Sequence, residues 1–510
     1  MTFSPAISKK NLLVFLSALL FSFSYATSPF SFFIFFAFVP FLRVLELSDN
    51  QTDCFKSGYL VGLIVNAIVF YWILYYKFDS YLLNIFLNAL QFALFAYLYS
   101  LLKVFALKIR ILIFPILWTF LEYIREFGDL ALNWLNIGYT QGNNLILIQY
   151  ADLSGINGIV FWICLINIVI YNIIFRVFRT KHRLIDFTII FILFLLPYSY
   201  GQYRLNIHSH LDSAVMTYVQ PNINSHFKWE KDQVEKNINI LIKQSNNLDN
   251  STNSIVIWPE TAIPATINFI QDQFHKIEKF LIANKIHLLT GILAEESARE
   301  YTHKYNSVVL FNPSDSLLQY YYKIKTVPIE ESLPYSEIYD FLLSKEYKEN
   351  YYKEGEEIRV FQINSEIQKN DETHPLKFAT VICFESSFPS FVRSFIRQGA
   401  EFFIVVTNDE WFGYSIQPSQ HLITSRFRAI ENRKSAIHCS NAGISSFIDY
   451  NGNFYGTSTL HRTHIETQFV PLNDTETVFN KFGDLIGKMS TIFILLIYIL
   501  IFLKNRMGTK

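Results

Sequence analysis

The chain has 510 residues, of which 51% are hydrophobic and only 17% charged, with 50 phenylalanines. That is too apolar for an ordinary soluble protein, and the length favours more than one domain. The 43 basic residues balance 43 acidic ones, which gives no sign of a nucleic-acid partner, and the four cysteines, Cys54, Cys164, Cys383 and Cys439, lack the CxxC pairing of a zinc site or disulfide framework.

The apolar residues come in long runs before about residue 205 and return at the end of the chain. A membrane helix needs about 20 mostly apolar residues. Eight candidates follow in order: 11–25, 30–44, 58–76, 81–107, 111–124, 158–175, 187–200 and 490–503. Lys9 and Lys10 ahead of the first run would also suit a cleaved signal peptide. Further runs follow almost at once, so a retained first span is expected. Basic residues mark one side of the membrane: Lys9 and Lys10, Arg43 and Lys56, Lys108 and Arg110, RVFRTKHR (176–183), then Lys504, Arg506 and Lys510. By the positive-inside rule both termini are cytoplasmic, and the segment between spans seven and eight lies on the outer face. Glu122 and Arg125 stand at helix spacing and can pair inside the membrane. In NWLNIGYTQ, Trp134 and Tyr139 are expected in an outer interfacial loop.

From about residue 213 to 485 short apolar runs alternate with turn signals, the pattern of an α/β domain. Strands are expected at SAVMTYVQ, SIVIW, HLLTGIL, NSVVLF, IRVFQI, KFATVIC, EFFIVVT, SAIHCS and SSFIDY. Val234, Ile238, Leu241 and Ile242 form one helical face, and Ile270, Phe274, Ile277 and Leu281 another. Asn451–Gly452 marks a hairpin turn, and SNNLDNSTNS reads as a polar loop.

Three stretches place reactive side chains at strand ends. In IVIWPETAIP, Pro259 ends a buried strand and projects Glu260 from its exit, where a carboxylate suits a general base. In YYKIKTVPIEESLPY, Lys323 alternates with Lys325; an exposed ribbon with solvated lysines is the plain alternative, and it is kept for Lys325. In FATVICFE, Cys383 ends an apolar run. Alone it reads as a core cysteine, whereas beside a cation its thiol pKa would fall from about 8.5 towards that of a nucleophile.

The order Glu, Lys, Cys is more specific than any one member. WPETA, Lys323 ahead of VP, and ICFE resemble the nitrilase superfamily. Within it, QPNINSHFKW, NDEWFG, QHLITSRFRAIENRK and SNAGIS are similar to the apolipoprotein N-acyltransferase family, as are LEYIREFG, NWLNIGYTQ and ADLSGINGIVFW in the membrane part. The resemblance covers nearly the whole chain. It implies a polytopic α-helical membrane domain of about eight transmembrane helices plus an α/β nitrilase-like α-β-β-α sandwich. The expected boundaries are 1–212 with seven helices, 213–485 for the catalytic domain on the outer face, and 486–510 for the eighth helix and a cytoplasmic tail.

The same resemblance implies Cys383 as nucleophile, Glu260 as general base and Lys323 as charge stabiliser. Glu331 matches a further acidic residue of the family's site, and Glu385, Trp229 and Trp411 match positions tied to activity or substrate access. The Phe384 N–H is expected to join Lys323 at the oxyanion. The implied reaction moves a fatty acyl chain from a phospholipid, phosphatidylethanolamine by expectation, to the α-amino group of a lipoprotein's N-terminal diacylglyceryl-cysteine. It passes through a thioester with ping-pong kinetics and needs no metal or organic cofactor. The expected setting is the bacterial inner membrane, as a monomer, with the catalytic domain periplasmic. Two departures stand out: VPFGE of the family reads VPIEE, with Glu330 for glycine, and Phe384 replaces a tyrosine. A membrane-tethered amidase using the same triad is the alternative enzyme, and a transporter or scaffold the non-enzymatic one.

Overall fold

A computed structural model describes residues 5–25, 29–178, 183–207, 212–230, 232–246, 255–266, 270–297, 302–313, 315–339, 343–344, 351–364, 368–369 and 372–507. Most of SNNLDNSTNS and half of RVFRTKHR lie outside these residues. The chain divides into two compact units: Met1–Glu126, Leu132–Ile207 and Phe482–Lys510 form one, and Phe127–Ala131 with His208–Lys481 form the other.

The first unit is helical: α1 Pro5–Ser24, α2 Ile34–Leu47, α3 Gln51–Val69, α4 Phe78–Leu101, α5 Leu107–Ile124, α6 Ala151–Phe175 and α7 Arg183–Leu205, joined by a last helix, Leu485–Met507. Among the described residues, six helices are long and apolar enough to cross a membrane: those covering Phe30–Leu47, Gln51–Val69, Phe78–Val104, Ala151–Phe175, Arg183–Leu205 and Leu485–Lys504. The other two expected spans correspond to the helices α1 and α5. Close approach between α3 and α4 depends on small residues. A Cβ on Gly58 would lie 2.5 Å from the Phe92 carbonyl, and one on Gly62 2.8 Å from Ala89, as in small-xxx-small membrane packing.

The Glu122–Arg125 pair forms at 3.5 Å. Trp118 Nε1 donates to the same carboxylate at 3.1 Å, and Arg125 reaches Gln91 and Asn88 at 2.5 and 3.2 Å, so neither charge is left alone. The expected interfacial loop is corrected: Trp134 and Tyr139 are both only 7% exposed. The 3₁₀ turn Ile137–Gln141, capped by the Asn136 side chain, folds them inward.

The second unit carries two six-stranded sheets. Strands are β1 Ser213–Gln220, β2 Ile255–Ile257, β3 His287–Ser297, β4 Thr302–Asn312, β5 Asp315–Tyr322, β6 Val360–Ile363, β7 Gln368–Lys369, β8 Glu372–Thr373, β9 Leu376–Ile382, β10 Phe402–Thr407, β11 Ala436–Ser440, β12 Ser446–Ile448, β13 Phe454–Tyr455 and β14 His464–Pro471. The sheet orders are β14-β1-β2-β3-β4-β5 and β13-β12-β11-β10-β9-β6, with β7 and β8 a separate ribbon. Alternate residues of one strand serve different layers, as the two-residue period requires. Ile255 and Ile257 join a core with Phe378, Ile404 and Ile437 of the second sheet. Val256 and Trp258 face the helices α8 Gln233–Ser245 and α9 Gln271–Asn284 through Ile238, Leu241, Ile277 and Leu281. On the second sheet, Val392 and Phe395 of the helix Pro389–Arg397 and Ala429 of the helix Gln417–Asn432 complete the packing. The unit is thus an α/β sandwich.

All nine expected strands overlap observed ones: β1 matches, β3 and β4 run further than expected, β9 is shifted by one residue, and the others are shorter. SSFIDY stops at Ile448 because the Asp449 carboxylate caps the turn, accepting from Asn451 and Asn453 N–H at 2.9 and 2.8 Å. Strands β5 and β14 carry no clean apolar alternation and went unmarked. The helix Gln417–Asn432 buries polar residues such as His421, Thr424 and Arg428 beside its apolar ones, so no helical face stands out in the sequence.

Candidate active site

Glu260, Asn306, Lys323 and Cys383 come from four strand positions. β2 ends at Ile257, and Trp258–Pro259 leads into a turn carrying Glu260. The turn is pinned to β3, where Gly291 N–H donates to the Pro259 carbonyl at 3.2 Å and Ile263 N–H to the Gly291 carbonyl at 3.1 Å. Lys323 directly follows β5, its N–H bonded to the Asn306 carbonyl of β4 at 2.8 Å. Cys383 directly follows β9 and takes φ +53°, opening the 3₁₀ turn Cys383–Ser387. A non-glycine residue in the left-handed region costs about 1–2 kcal/mol, so this elbow is held by its surroundings. Cys383 is the one cysteine of the four that is not fully buried, and none is disulfide-bonded.

The polar groups converge on Lys323, whose side chain is 1% exposed. Its Nζ lies 2.8 Å from Glu331 and 3.5 Å from Glu260 Oε1. Asn306 Nδ2 donates to Glu260 Oε1 at 2.8 Å and to Glu331 Oε1 at 3.4 Å. Glu331 also accepts from the Val327 N–H at 2.7 Å. Burial disfavours the ammonium form of Lys323, but the charges of Glu331 and Glu260 outweigh it and hold the lysine well above its ordinary range. The Cys383 thiol feels both partners. Burial and then the Glu260 charge push it well above its ordinary value, against the downward pull of Lys323. The expected lowering of the thiol pKa is therefore overturned.

Glu385, fully buried, ties the elbow to the lysine. One carboxylate oxygen accepts from Tyr321 OH, Ile324 N–H and Lys325 N–H at 2.7, 2.7 and 3.0 Å; the other accepts from Ile382 N–H at 2.7 Å. Burial raises its pKa to about 7, against the Ile382, Tyr321 and Lys325 donors and the Lys323 charge. Phe384 is buried edge-on to Phe388 at 5.0 Å. Glu330 takes no left-handed backbone; the positive φ in VPIEE falls on Ile329 at +73°, so this turn does not need glycine at position 330.

Trp229 is 39% exposed, with Lys228 Nζ 5.3 Å above its ring. Trp411 is partly exposed, stacks edge-on with His226 at 5.1 Å and donates from Nε1 to the Asn408 amide oxygen at 3.1 Å. Lys325 is partly exposed.

Several site residues escaped the sequence reading. Asn306 lies unmarked inside NSVVLF. Lys228, buried, donates to Thr261 Oγ1 at 2.6 Å in the turn beside Glu260. Burial lowers its pKa to about 8, opposed by Glu260 and Glu410. Behind the elbow, Asp409, His421 and His438 bring their side-chain nitrogen and oxygen atoms within 4.8 Å of one another. That spacing would suit a cation, but the Asp409 oxygens already accept from Thr407, Gln417, His421 and Ser440 at 2.8–3.1 Å. The group is a hydrogen-bonded cluster. Burial resists ionisation of Asp409, yet His421 and His438 hold its carboxyl far below the usual range, while burial lowers His438 to about 4. Asp409 lies in NDEWFG, His421 in QHLITSRFRAIENRK and His438 in SAIHCS.

Residues 17–169 match the apolipoprotein N-acyltransferase N-terminal domain, and residues 216–478 match the carbon-nitrogen hydrolase family. The apolipoprotein N-acyltransferase of Chlorobaculum tepidum is 29% identical, covering 95% of each chain. That of Rickettsia prowazekii is 30% identical over 91% of this chain and 93% of its own. Among solved structures, the carbon-nitrogen hydrolase of Helicobacter pylori G27 is 16% identical with a TM-score of 0.37, covering 54% of this chain. With one domain model on each side of residue 200 and relatives matching over 91% and 95% of its length, this chain belongs to the apolipoprotein N-acyltransferase family, within the carbon-nitrogen hydrolases.

Proposed function

We propose that the chain moves an acyl group from a phospholipid to the α-amine of an N-terminal diacylglyceryl-cysteine on lipoproteins, through a thioester on Cys383. The observation that carries this reading is the convergence of a carboxylate and an ammonium group on the one cysteine that is not fully buried, in a chain whose family membership spans both units. Glu260 acts as general base. It takes the thiol proton as sulfur attacks the ester carbonyl, and it returns that proton to the departing lysophospholipid oxygen. The amine then attacks the thioester carbonyl, Glu260 accepts its proton, and the thiol is restored as the amide forms. Proton and acyl group balance over the cycle, so no cofactor is required.

Lys323 has three N–H donors. Glu331 and Glu260 engage two, which leaves one for the oxyanion, beside the Phe384 N–H. Each such donor is worth ~3 kcal/mol in the transition state. Glu331 and Asn306 keep the ammonium and the base in register. Trp229 and Trp411, both partly exposed, suit the rim where acyl chains enter.

Both substrates are lipid-anchored, and moving a chain into water costs ~0.8 kcal/mol per CH₂. A membrane-embedded enzyme avoids that cost. We read α1 and α5 as further spans, eight in all, because the charges of α5 are accommodated: Lys108 in its first turn can snorkel, Arg110 pairs with Glu46, and Glu122 pairs with Arg125. Residues 1–212 and 486–510 are then the membrane domain and 213–485 the catalytic one. It faces the periplasm, with both termini cytoplasmic, in a bacterial inner-membrane monomer.

Acyl-labelled phosphatidylethanolamine and a diacylated lipopeptide test the reading. Label on the peptide's N-terminal amine, lost in Cys383→Ser, is expected. Free fatty acid as the sole product would instead mean hydrolysis, and unchanged transfer by Cys383→Ser would remove the mechanism.

A further inference from the structure

The cluster behind the nucleophile meets it at the Cys383 carbonyl. His421 Nε2 lies 3.0 Å from the Cys383 carbonyl oxygen, and His421 Nδ1 lies 2.8 Å from Asp409 Oδ1. All three residues belong to the second unit. His421 and Asp409 are fully buried, with side chains 0% exposed. A peptide carbonyl cannot donate. Neither can the Asp409 carboxylate, which already accepts from Thr407 Oγ1, Gln417 Nε2 and Ser440 Oγ. Donors at both ring nitrogens of His421 would satisfy these two acceptors. The Ser386 hydroxyl, 3.0 Å from Nε2, donates to the same Cys383 carbonyl at 2.9 Å and leaves its lone pairs to the ring.

The consequence follows from peptide geometry. In a trans peptide the carbonyl and the next N–H point in opposite directions. A donor fixed on the Cys383 carbonyl therefore turns the Phe384 N–H away from His421. Hydrogen bonding to the carbonyl also polarises the amide and strengthens its N–H as a donor. The same bond braces Cys383 at φ +53°.

We propose that His421, held by Asp409 and donating from both ring nitrogens, is a positioning residue that orients and polarises the Cys383–Phe384 peptide so that its N–H serves the oxyanion. The inference rests on the acyl-transfer reading above, in which that N–H stabilises the tetrahedral intermediate. The role is indirect, because His421 reaches the reacting carbonyl only through the peptide it holds.

The test separates oxyanion stabilisation from thiol reactivity. Full-length enzyme in detergent is mixed with phosphatidylethanolamine, and the acyl adduct on the Cys383 peptide is followed by mass spectrometry. Iodoacetamide alkylation, which forms no oxyanion, reports the thiol alone. His421→Ala should slow acylation by roughly a hundredfold, the effect of losing one oxyanion donor, and leave alkylation nearly unchanged. His421→Gln, whose amide can still donate to the carbonyl, should recover much of the loss. Equal falls in acylation and alkylation, or wild-type acylation by His421→Ala, overturn the inference while the transfer reading stands. Absence of any adduct in the unaltered enzyme overturns both. Should the variants fail to fold, unaltered enzyme labelled with ¹⁵N-histidine and ¹³C-carbonyl cysteine decides the matter. The ring nitrogen dipole-coupled to a cysteine carbonyl must bear a proton, and a bare nitrogen there refutes the proposal.

Discussion

Replacing Gly291 by alanine measures how closely β3 holds the Glu260 turn. A Cβ at position 291 would lie 2.3 Å from Thr261 N, 2.6 Å from the Pro259 carbonyl and 2.7 Å from Glu260 Cα. Ordinary contact is about 3.5 Å, and all three atoms are backbone, so the turn must retreat by about 1 Å. Glu260 Oε1, now 2.8 Å from Asn306 Nδ2, would then leave hydrogen-bond reach. The overpacking costs about 1–3 kcal/mol, with about 1 kcal/mol more for each of the two backbone bonds to β3 that breaks. A 1 Å displacement of a catalytic group slows chemistry roughly a hundredfold. The assay is the rate of acyl-adduct formation on Cys383, with denaturant melting alongside. Gly399→Ala is the control. Gly399 takes φ +97° with nothing within 4 Å of its added Cβ, so alanine there brings about 1–2 kcal/mol of backbone strain far from Glu260. Full activity in Gly291→Ala, or an equal loss in Gly399→Ala, would refute the argument.

Two further outcomes are expected. Glu385→Gln keeps three of the four hydrogen bonds but sets an amide donor against the Ile382 N–H, which should cost about 3 kcal/mol and loosen Lys323 from the elbow, read as lower stability and slower acylation together. Lys228 sits near 8 in the folded protein against an ordinary 10.5. Between those values the unfolded chain binds more protons, so stability rises with pH across the window and is lost as pH falls through about 8. The difference corresponds to ~3 kcal/mol; Lys228→Met should abolish that rise in denaturant titrations from pH 7 to 10, and an unchanged slope would exclude the assignment.

The sequence by itself determined the membrane runs, the strands flanking the chemistry, and Glu260, Lys323 and Cys383 as strand-end residues. An apolar run broken by proline or followed by a charged residue is a local signal, and it survives folding because strand ends are where a sheet runs out of partners. Only the tertiary structure decided the rest. Asn306, Lys228, His421 and Asp409 come near the candidate site from other parts of the chain, and no spacing along the chain marks a contact made across two sheets. Burial likewise depends on what packs around a group. The Cys383 thiol rises although a lysine stands near, and Trp134 and Tyr139 turn inward although their composition suits an interface. Polar side chains write their identity into the sequence, but their energies are set by neighbours that the fold brings from elsewhere.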